Sequence, residues 1–158
     1  MRNVTTLLLL LTILLAGSMR SAAQTAETLY KQAKTYVDAK NYTAAVPLLK
    51  KAATKGDKKA QYRLARCYDK GHGVDEDNKA AFGWYQKSAT QGYAKAQYRL
   101  AKCYLKGKGT AADPKKARTW LKKAVAGKKH GKEILDKIKT KAAEGDDDAK
   151  RLLALLKQ

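Results

Sequence analysis

The sequence predicts an all-α solenoid, a stack of helical hairpins, and three observations carry that expectation. The chain repeats itself: Lys59-Ala60-Gln61-Tyr62-Arg63-Leu64-Ala65 returns as Lys95-Ala96-Gln97-Tyr98-Arg99-Leu100-Ala101. The agreement continues through Cys67/Cys103, Tyr68/Tyr104, Gly71/Gly107, Gly73/Gly109, Asp77/Asp113, Ala81/Ala117 and Trp84/Trp120, always 36 residues apart. A period of this length marks an array of small supersecondary units, each too small to bury its own apolar face. Within each copy the apolar residues recur at three- and four-residue spacings, the period of a helix with one buried stripe. The composition agrees, being rich in Ala, Leu and Lys, and a hydrophobic fraction of 44% excludes a disordered polyelectrolyte despite a net charge of +20.

Residues 1–23 are set aside first. Arg2, the apolar run from Leu7 to Ala16 and the small residues Ser21 and Ala23 follow the order of a secretory signal peptide. The run is far shorter than the ~20 residues that cross a bilayer as a helix, so no transmembrane anchor is expected after cleavage. Leu15-Ala16-Gly17 resembles the start of a lipoprotein box, but Ser18 stands where the lipidated cysteine would be. Export, to a periplasm or out of the cell, is the expectation.

Residues 24–57 read as a diverged first hairpin. Asn41, Ala45, Leu48, Leu49, Ala52 and Gly56 keep the 36-residue offset, whereas Tyr36 precedes Tyr68 by only 32, so the loop inside this unit is four residues shorter. Pro47 falls inside its second helix, where it removes one backbone hydrogen bond and predicts a kink. Residues 58–93 form the next unit. Ala60, Leu64, Cys67 and Tyr68 share a face of its first helix, and Gly71 supplies a left-handed cap. Asp77 caps the second helix, whose stripe is Ala81, Trp84, Tyr85 and Ser88, and Gly92 closes it. Residues 94–127 repeat this plan, with Pro114 just inside a helix start. Trp84 and Trp120 are expected to be buried in the packed stripe, where truncation would cost ~3–5 kcal/mol. In residues 128–158, Ile134, Leu135 and Ile138, then Leu152, Leu153, Leu155 and Leu156, predict two capping helices joined by a turn at Glu144–Asp148.

Candidate chemistry is sparse. His72 and His130 read as solvated histidines in glycine-flanked loops, with no second ligand at metal-binding spacing. Asp75, Glu76 and Asp77 lack a calcium-loop spacing and suit the positive end of a helix dipole. Gly71-His72-Gly73 and Gly107-Lys108-Gly109 follow helices rather than strands and lack the third glycine of a nucleotide loop. No catalytic group, metal or cofactor is expected. Cys67 and Cys103 invite a disulfide in an oxidising compartment. They are equivalent positions on successive stacked helices, ~8–10 Å apart, beyond the roughly 7 Å that a disulfide spans. Free, buried thiols are the expectation unless the helices splay.

Charge is the more informative signal. Residues 95–132 hold thirteen basic residues and one acidic, two thirds of the charge left after signal removal. Lys95, Arg99, Lys108, Lys115, Lys116, Arg118, Lys122, Lys123, Lys128 and Lys129 define a basic patch. It serves either as a solubilising face or as a surface for an anionic partner: an acidic protein, an anionic polymer, lipid head groups or nucleic acid. Specific nucleic-acid binding is the weakest of these, because export removes the protein from the genome. The dominance of lysine over arginine also suits diffuse attraction.

The pattern Ala-Gln-Tyr-x-Leu-Ala-x-x-Tyr, then Gly-x-Gly-Val, then Asp-x-x-x-Ala-x-x-Trp-Tyr-x-Lys, then Gln-Gly, over Ala60 to Gly92, resembles the Sel-one-like repeat. This is a subfamily of the tetratricopeptide-like solenoids. The likeness covers about residues 25–127, two clear copies and a first unit closer to an ordinary tetratricopeptide hairpin. Ala65 and Ala101 stand where that family often has glycine, and Thr110 replaces the valine seen at Val74. The resemblance implies a right-handed superhelix and an adaptor that binds a protein or peptide in its groove, not an enzyme. It also implies that the first helix of each unit faces the groove, which nominates Tyr30, Lys34, Lys59, Tyr62, Arg66, Tyr98, Lys102 and Lys106. Tyrosine beside a cation suits an extended acidic peptide; equally, Tyr62 and Tyr98 could pack between units. The functional expectation is an exported scaffold for a protein or acidic peptide, with binding of an anionic polymer through the third repeat as the alternative.

Overall fold

The computed structural model describes residues 24–127 and 130–157. Residues 1–23, on which the expectation of a signal peptide rests, the pair Lys128 and Lys129, and Gln158 lie outside the described residues. Among those described there are eight helices and no strand. They are α1 (Ala26–Asp38), α2 (Tyr42–Thr54), α3 (Lys58–Lys70), α4 (Asn78–Thr90), α5 (Ala94–Lys106), α6 (Pro114–Ala126), α7 (His130–Ala143) and α8 (Asp147–Lys157). The all-α solenoid expected from the repeats is therefore the fold. Helix α1 starts 32 residues before α3, whereas α2, α3 and α4 each start 36 residues before their counterparts. The shortened loop of the first unit is real: three residues separate α1 from α2, and seven separate α3 from α4.

Short polar side chains open most of the helices. The Ala60 amide donates to Asp57 Oδ1 at 2.6 Å, Ala80 to Asp77 at 2.9 Å, Lys116 to Asp113 at 2.9 Å and Ala149 to Asp146 at 2.8 Å. The Lys116 amide and side chain hold the Asp113 carboxyl below the usual carboxylate range. Tyr93 opens α5 without a side-chain cap, in the position that Asp57 fills one unit earlier. Pro47 lies inside α2 on an exposed face and leaves the Thr43 carbonyl without its helical donor.

Equivalent positions build the core. Ala45, Ala81 and Ala117 are buried, as are Leu49, Tyr85 and Leu121, and Leu64 and Leu100. The small residues let neighbouring helices approach while the larger ones fill the space between them. Trp84 and Trp120 depart from expectation. Both are only half-buried against this core, with Lys87 Nζ 4.2 Å and Lys123 Nζ 4.6 Å from their ring centroids. Tyr85 and Leu121, one residue further on, point inward instead, because the stripe of the second helix is centred there.

Two contacts tie each unit to the one before it. Gln61 Nε2 donates to the Ala53 carbonyl at 3.1 Å, and Gln97 Nε2 to the Ala89 carbonyl at 3.2 Å. The second glycine of each Gly-x-Gly loop lies against the first residue of the preceding unit's second helix. A β-carbon at Gly73 would stand 2.6 Å from the Tyr42 carbonyl, and one at Gly109 would stand 2.0 Å from the Asn78 oxygen. Both glycines also have positive φ, +71° and +73°.

Helices α7 and α8 form a fourth hairpin on the end of the stack. α7 packs on α5 and α6, and α8 on α6 and α7. Ile134, Ile138, Leu152 and Leu155 are buried and continue the core. His130 is not a loop residue but the first residue of α7, with Nδ1 3.3 Å from a Glu133 carboxylate oxygen. His72 lies in its loop and stacks on Tyr42, centroids 4.3 Å apart. Among the described residues no helix is long and apolar enough to cross a membrane.

Candidate functional site

The periodicity of α3 and α5 places Tyr62 and Arg66, and Lys95, Tyr98 and Arg99, on facing surfaces of successive units. Together with Glu133, Ile134 and Lys137 of α7 they line a cavity of about 330 Å³. Tyr62 is 9% exposed. Its ring meets Tyr93 edge-on at 5.2 Å and lies 6.0 Å from Tyr85, so it packs between units and offers one edge to the cavity. Tyr98 is half-buried, and burial pushes its phenol up, keeping it a hydrogen-bond donor.

A second cavity of about 150 Å³ adjoins the first through Arg99. Its walls come from Asp69 and Lys70 of α3, Tyr85 of α4, Arg99, Lys102, Cys103 and Lys106 of α5, and Lys108 in the following loop. Lys108 Nζ is 2.6 Å from Asp69 Oδ1 and 3.8 Å from Glu76, an ion pair that crosses from one unit to the next. The Tyr85 hydroxyl donates to Asp69 Oδ2 at 3.5 Å. Burial pushes the Tyr85 phenol up strongly, and the Asp69 charge pushes it further. Burial and Asp69 likewise push the Cys103 thiol up to about 11. It is protonated at neutral pH and is not a nucleophile there. Cys67 and Cys103 are both free and buried. Burial disfavours charge on the Arg99 guanidinium, but Tyr85, Tyr62 and Asp69 outweigh it and hold the group firmly charged.

The remaining groove candidates are placed differently. Lys34 is ion-paired along α1 with Asp38, and Tyr30 packs on the first unit's core. Lys59 lines a separate cavity beside Gly92 and Tyr93. Lys102 and Lys106 both reach Asp148 Oδ2 of α8, at 3.4 and 2.9 Å. That carboxyl is held below its ordinary range, chiefly by Lys106.

The basic patch divides in the same way. Lys95 and Arg99 line the first cavity, and Lys108 belongs to the inter-unit ion pair. Lys116 pairs with Asp113 at 3.4 Å and lies over Tyr104, and Lys123 lies over Trp120. Lys115, Arg118 and Lys122 line an open cavity of about 610 Å³ between α6 and Leu155 of α8. Among the described residues, the Arg118 Nε is buried without a hydrogen-bond partner.

Sequence reasoning missed Asp69, Asp148, Gln61 and Gln97 as organisers of this region. Asp69 did leave a signal, since the equivalent residue one unit later is the buried Leu105. A carboxylate at an otherwise apolar repeat position implies a specific partner.

The Sel1 repeat family model matches residues 23–57, 58–93 and 94–128. Among solved structures, a Sel1 repeat protein from Oxalobacter formigenes is 33% identical, with a TM-score of 0.62 over 71% of this chain and 88% of that one. The protective antigen c5321 of uropathogenic Escherichia coli strains, which displays an SLR fold, is 26% identical with a TM-score of 0.66. The match covers 85% of this chain but 30% of the antigen. Cysteine rich protein B of Helicobacter pylori, 20% identical with a TM-score of 0.54 over 71% of this chain and 98% of its own, is a likeness of fold alone. No curated protein matches the sequence. The first hairpin, diverged as it is, falls within the same family pattern as the two clear copies, and the chain belongs to the Sel1 repeat family.

Proposed function

We propose that the protein is an exported, non-enzymatic scaffold that takes an acidic segment of a partner protein into the groove between the first helices of its second and third repeats. Sel1 repeats are generally protein-interaction scaffolds, which supports the class of function. The observation that carries the site is the convergence of Arg66, Lys95, Tyr98 and Arg99 from two helices on one 330 Å³ cavity. Aromatic surface beside cations gives contact area and charge complementarity together. Export rests on the order of charged, apolar and small residues in positions 1–23.

A second reading has its own observation. Lys115, Arg118 and Lys122 form a stripe on α6, and among the described residues no carboxylate lines their cavity. This stripe would suit an anionic envelope or extracellular polymer. Crosslinking in the native envelope, followed by identification of the captured species, separates the two. Replacing Arg66 and Lys95 by Glu is expected to abolish capture of a protein partner, and replacing Lys115 and Lys122 to leave it intact. The opposite result, with binding that collapses between low and physiological salt, would overturn the groove in favour of the polymer.

A further inference from the structure

Arg99 stands where the two cavities of the groove meet, and it differs from the lysines around it. Lys108 is held by Asp69 at 2.6 Å, and Lys102 and Lys106 by Asp148 at 3.4 and 2.9 Å. Arg99 is half-buried and, among the described residues, has no carboxylate within 4 Å. Tyr62, Tyr85 and Asp69 keep the guanidinium charged from a distance, and a half-buried cation that no carboxylate engages directly is a candidate binding group. Its planar fork of donors matches a carboxylate in two parallel hydrogen bonds.

The surroundings select the kind of anion. Lys102 shares the smaller cavity with Arg99, and through its contact with Asp148 it already shows how a carboxylate is held here. The one carboxylate in the wall, Asp69, is engaged by Lys108 and the Tyr85 hydroxyl. Its charge tolerates a single negative group more readily than the doubly charged form of a phosphate. With a volume of about 150 Å³, the space admits one side-chain group and not a folded domain.

We infer that Arg99, with Lys102 beside it, is the receptor for one carboxylate group of the partner, bound in the smaller cavity of the groove. This rests on the groove reading and names the subsite by which an acidic segment is anchored.

The test follows the Arg99 Nε–Hε resonance of the full chain by NMR at physiological salt, assigned with Arg99→Lys. Three probes are used: acetylated and amidated tetraglutamate, acetylated tetraglycine with a free C-terminus, and inorganic phosphate. Tetraglutamate should shift the resonance saturably. By isothermal titration, which needs no reporter at position 99, Arg99→Lys, which keeps the charge but loses the fork, should weaken its binding about tenfold, and Arg99→Gln about a hundredfold. Lys102→Gln should weaken it as well, and unchanged melting of Arg99→Lys would show that the loss is not one of folding.

Tetraglutamate binding that is equal in the wild type and all three variants would overturn the receptor while leaving the groove reading intact. A shift with tetraglycine's terminal carboxylate and none with tetraglutamate would keep the receptor and overturn the acidic-segment reading. A response to phosphate alone, or to none of the probes, would overturn the receptor.

Discussion

Substituting Gly109 by Ala is expected to loosen the joint between the second and third repeats, and the structure allows the cost to be divided. Gly109 and Gly92 both have positive φ, +73° and +77°. An L-residue in that region costs about 1–2 kcal/mol. At Gly92 the added β-carbon meets nothing within 4 Å, so Gly92→Ala should cost that conformational penalty alone. At Gly109 the same atom would lie 2.0 Å from the Asn78 oxygen and 2.6 Å from its carbonyl carbon. These are backbone atoms at the start of α4, so no rotamer change relieves the contact and one unit must move against the other. Overpacking of this kind adds about 1–3 kcal/mol. Gly109→Ala should therefore cost about 2–5 kcal/mol, and the difference between the two variants isolates the inter-repeat contact. Urea unfolding followed by circular dichroism gives both free energies. In thermal unfolding the variants should separate by roughly 4 °C for each kcal/mol between them. A lowered denaturant slope for Gly109→Ala alone would indicate that the repeats have begun to unfold separately. Equal destabilisation by the two substitutions would refute the close-approach argument and leave only the shared φ penalty.

Four other outcomes follow from the same structure. Asp148→Asn frees Lys102 and Lys106 and should raise affinity for acetylated, amidated tetraglutamate several-fold by isothermal titration, at a stability cost of about 1 kcal/mol. Because the folded state lowers the Asp148 carboxyl, its stabilisation is fully present above its unfolded value of about 3.9 and is lost as pH falls through the lower folded value; acid unfolding of the wild type should show a step near and below pH 4 that Asp148→Asn lacks. Leu121→Ala, fully buried, should cost about 2–5 kcal/mol and Trp120→Ala, half-buried, no more than this in the same urea assay. Cys103 should resist a thiol reagent at neutral pH in the native protein and react without prior reduction once the chain is denatured.

The elements were legible because they are local. Helices of thirteen residues, their aspartate caps and the four-residue shortening of the first loop all follow from offsets and spacings within a single unit. The end of the stack was legible for the same reason, since Ile134, Ile138, Leu152 and Leu155 carry a helical stripe that only a neighbour can cover. Half of the glycine signal was read correctly. Gly71 does end α3 in the left-handed conformation. The second glycine of that loop was seen only as loop chemistry, because its reason is the Tyr42 backbone in the preceding unit. The tryptophans were expected to be more deeply buried than they are for a related reason: Trp84 and Tyr85 both fit the stripe, and only the packing of the next helix decides which turns fully inward.

The groove was less legible because its chemistry is set by pairs far apart in sequence. The thirteen basic residues between positions 95 and 132 suggested one continuous cationic surface. Folding divides them. Lys108 is spent on Asp69, 39 residues earlier, and Lys102 and Lys106 on Asp148, some 42 to 46 residues later. Lys116 and Lys123 lie over aromatic rings. Lys95 and Arg99 line one cavity, and Lys115, Arg118 and Lys122 line another on the flank of α6. Screening in salt acts most on exposed charges and least on half-buried ones. The flank should therefore govern the salt-sensitive encounter with any polyanion. Arg99, partly withdrawn from solvent, should govern what remains bound at physiological ionic strength. A net charge counted along the chain measures the first of these properties and says nothing about the second. The distinction becomes visible only when each cation is asked which carboxylate it already holds.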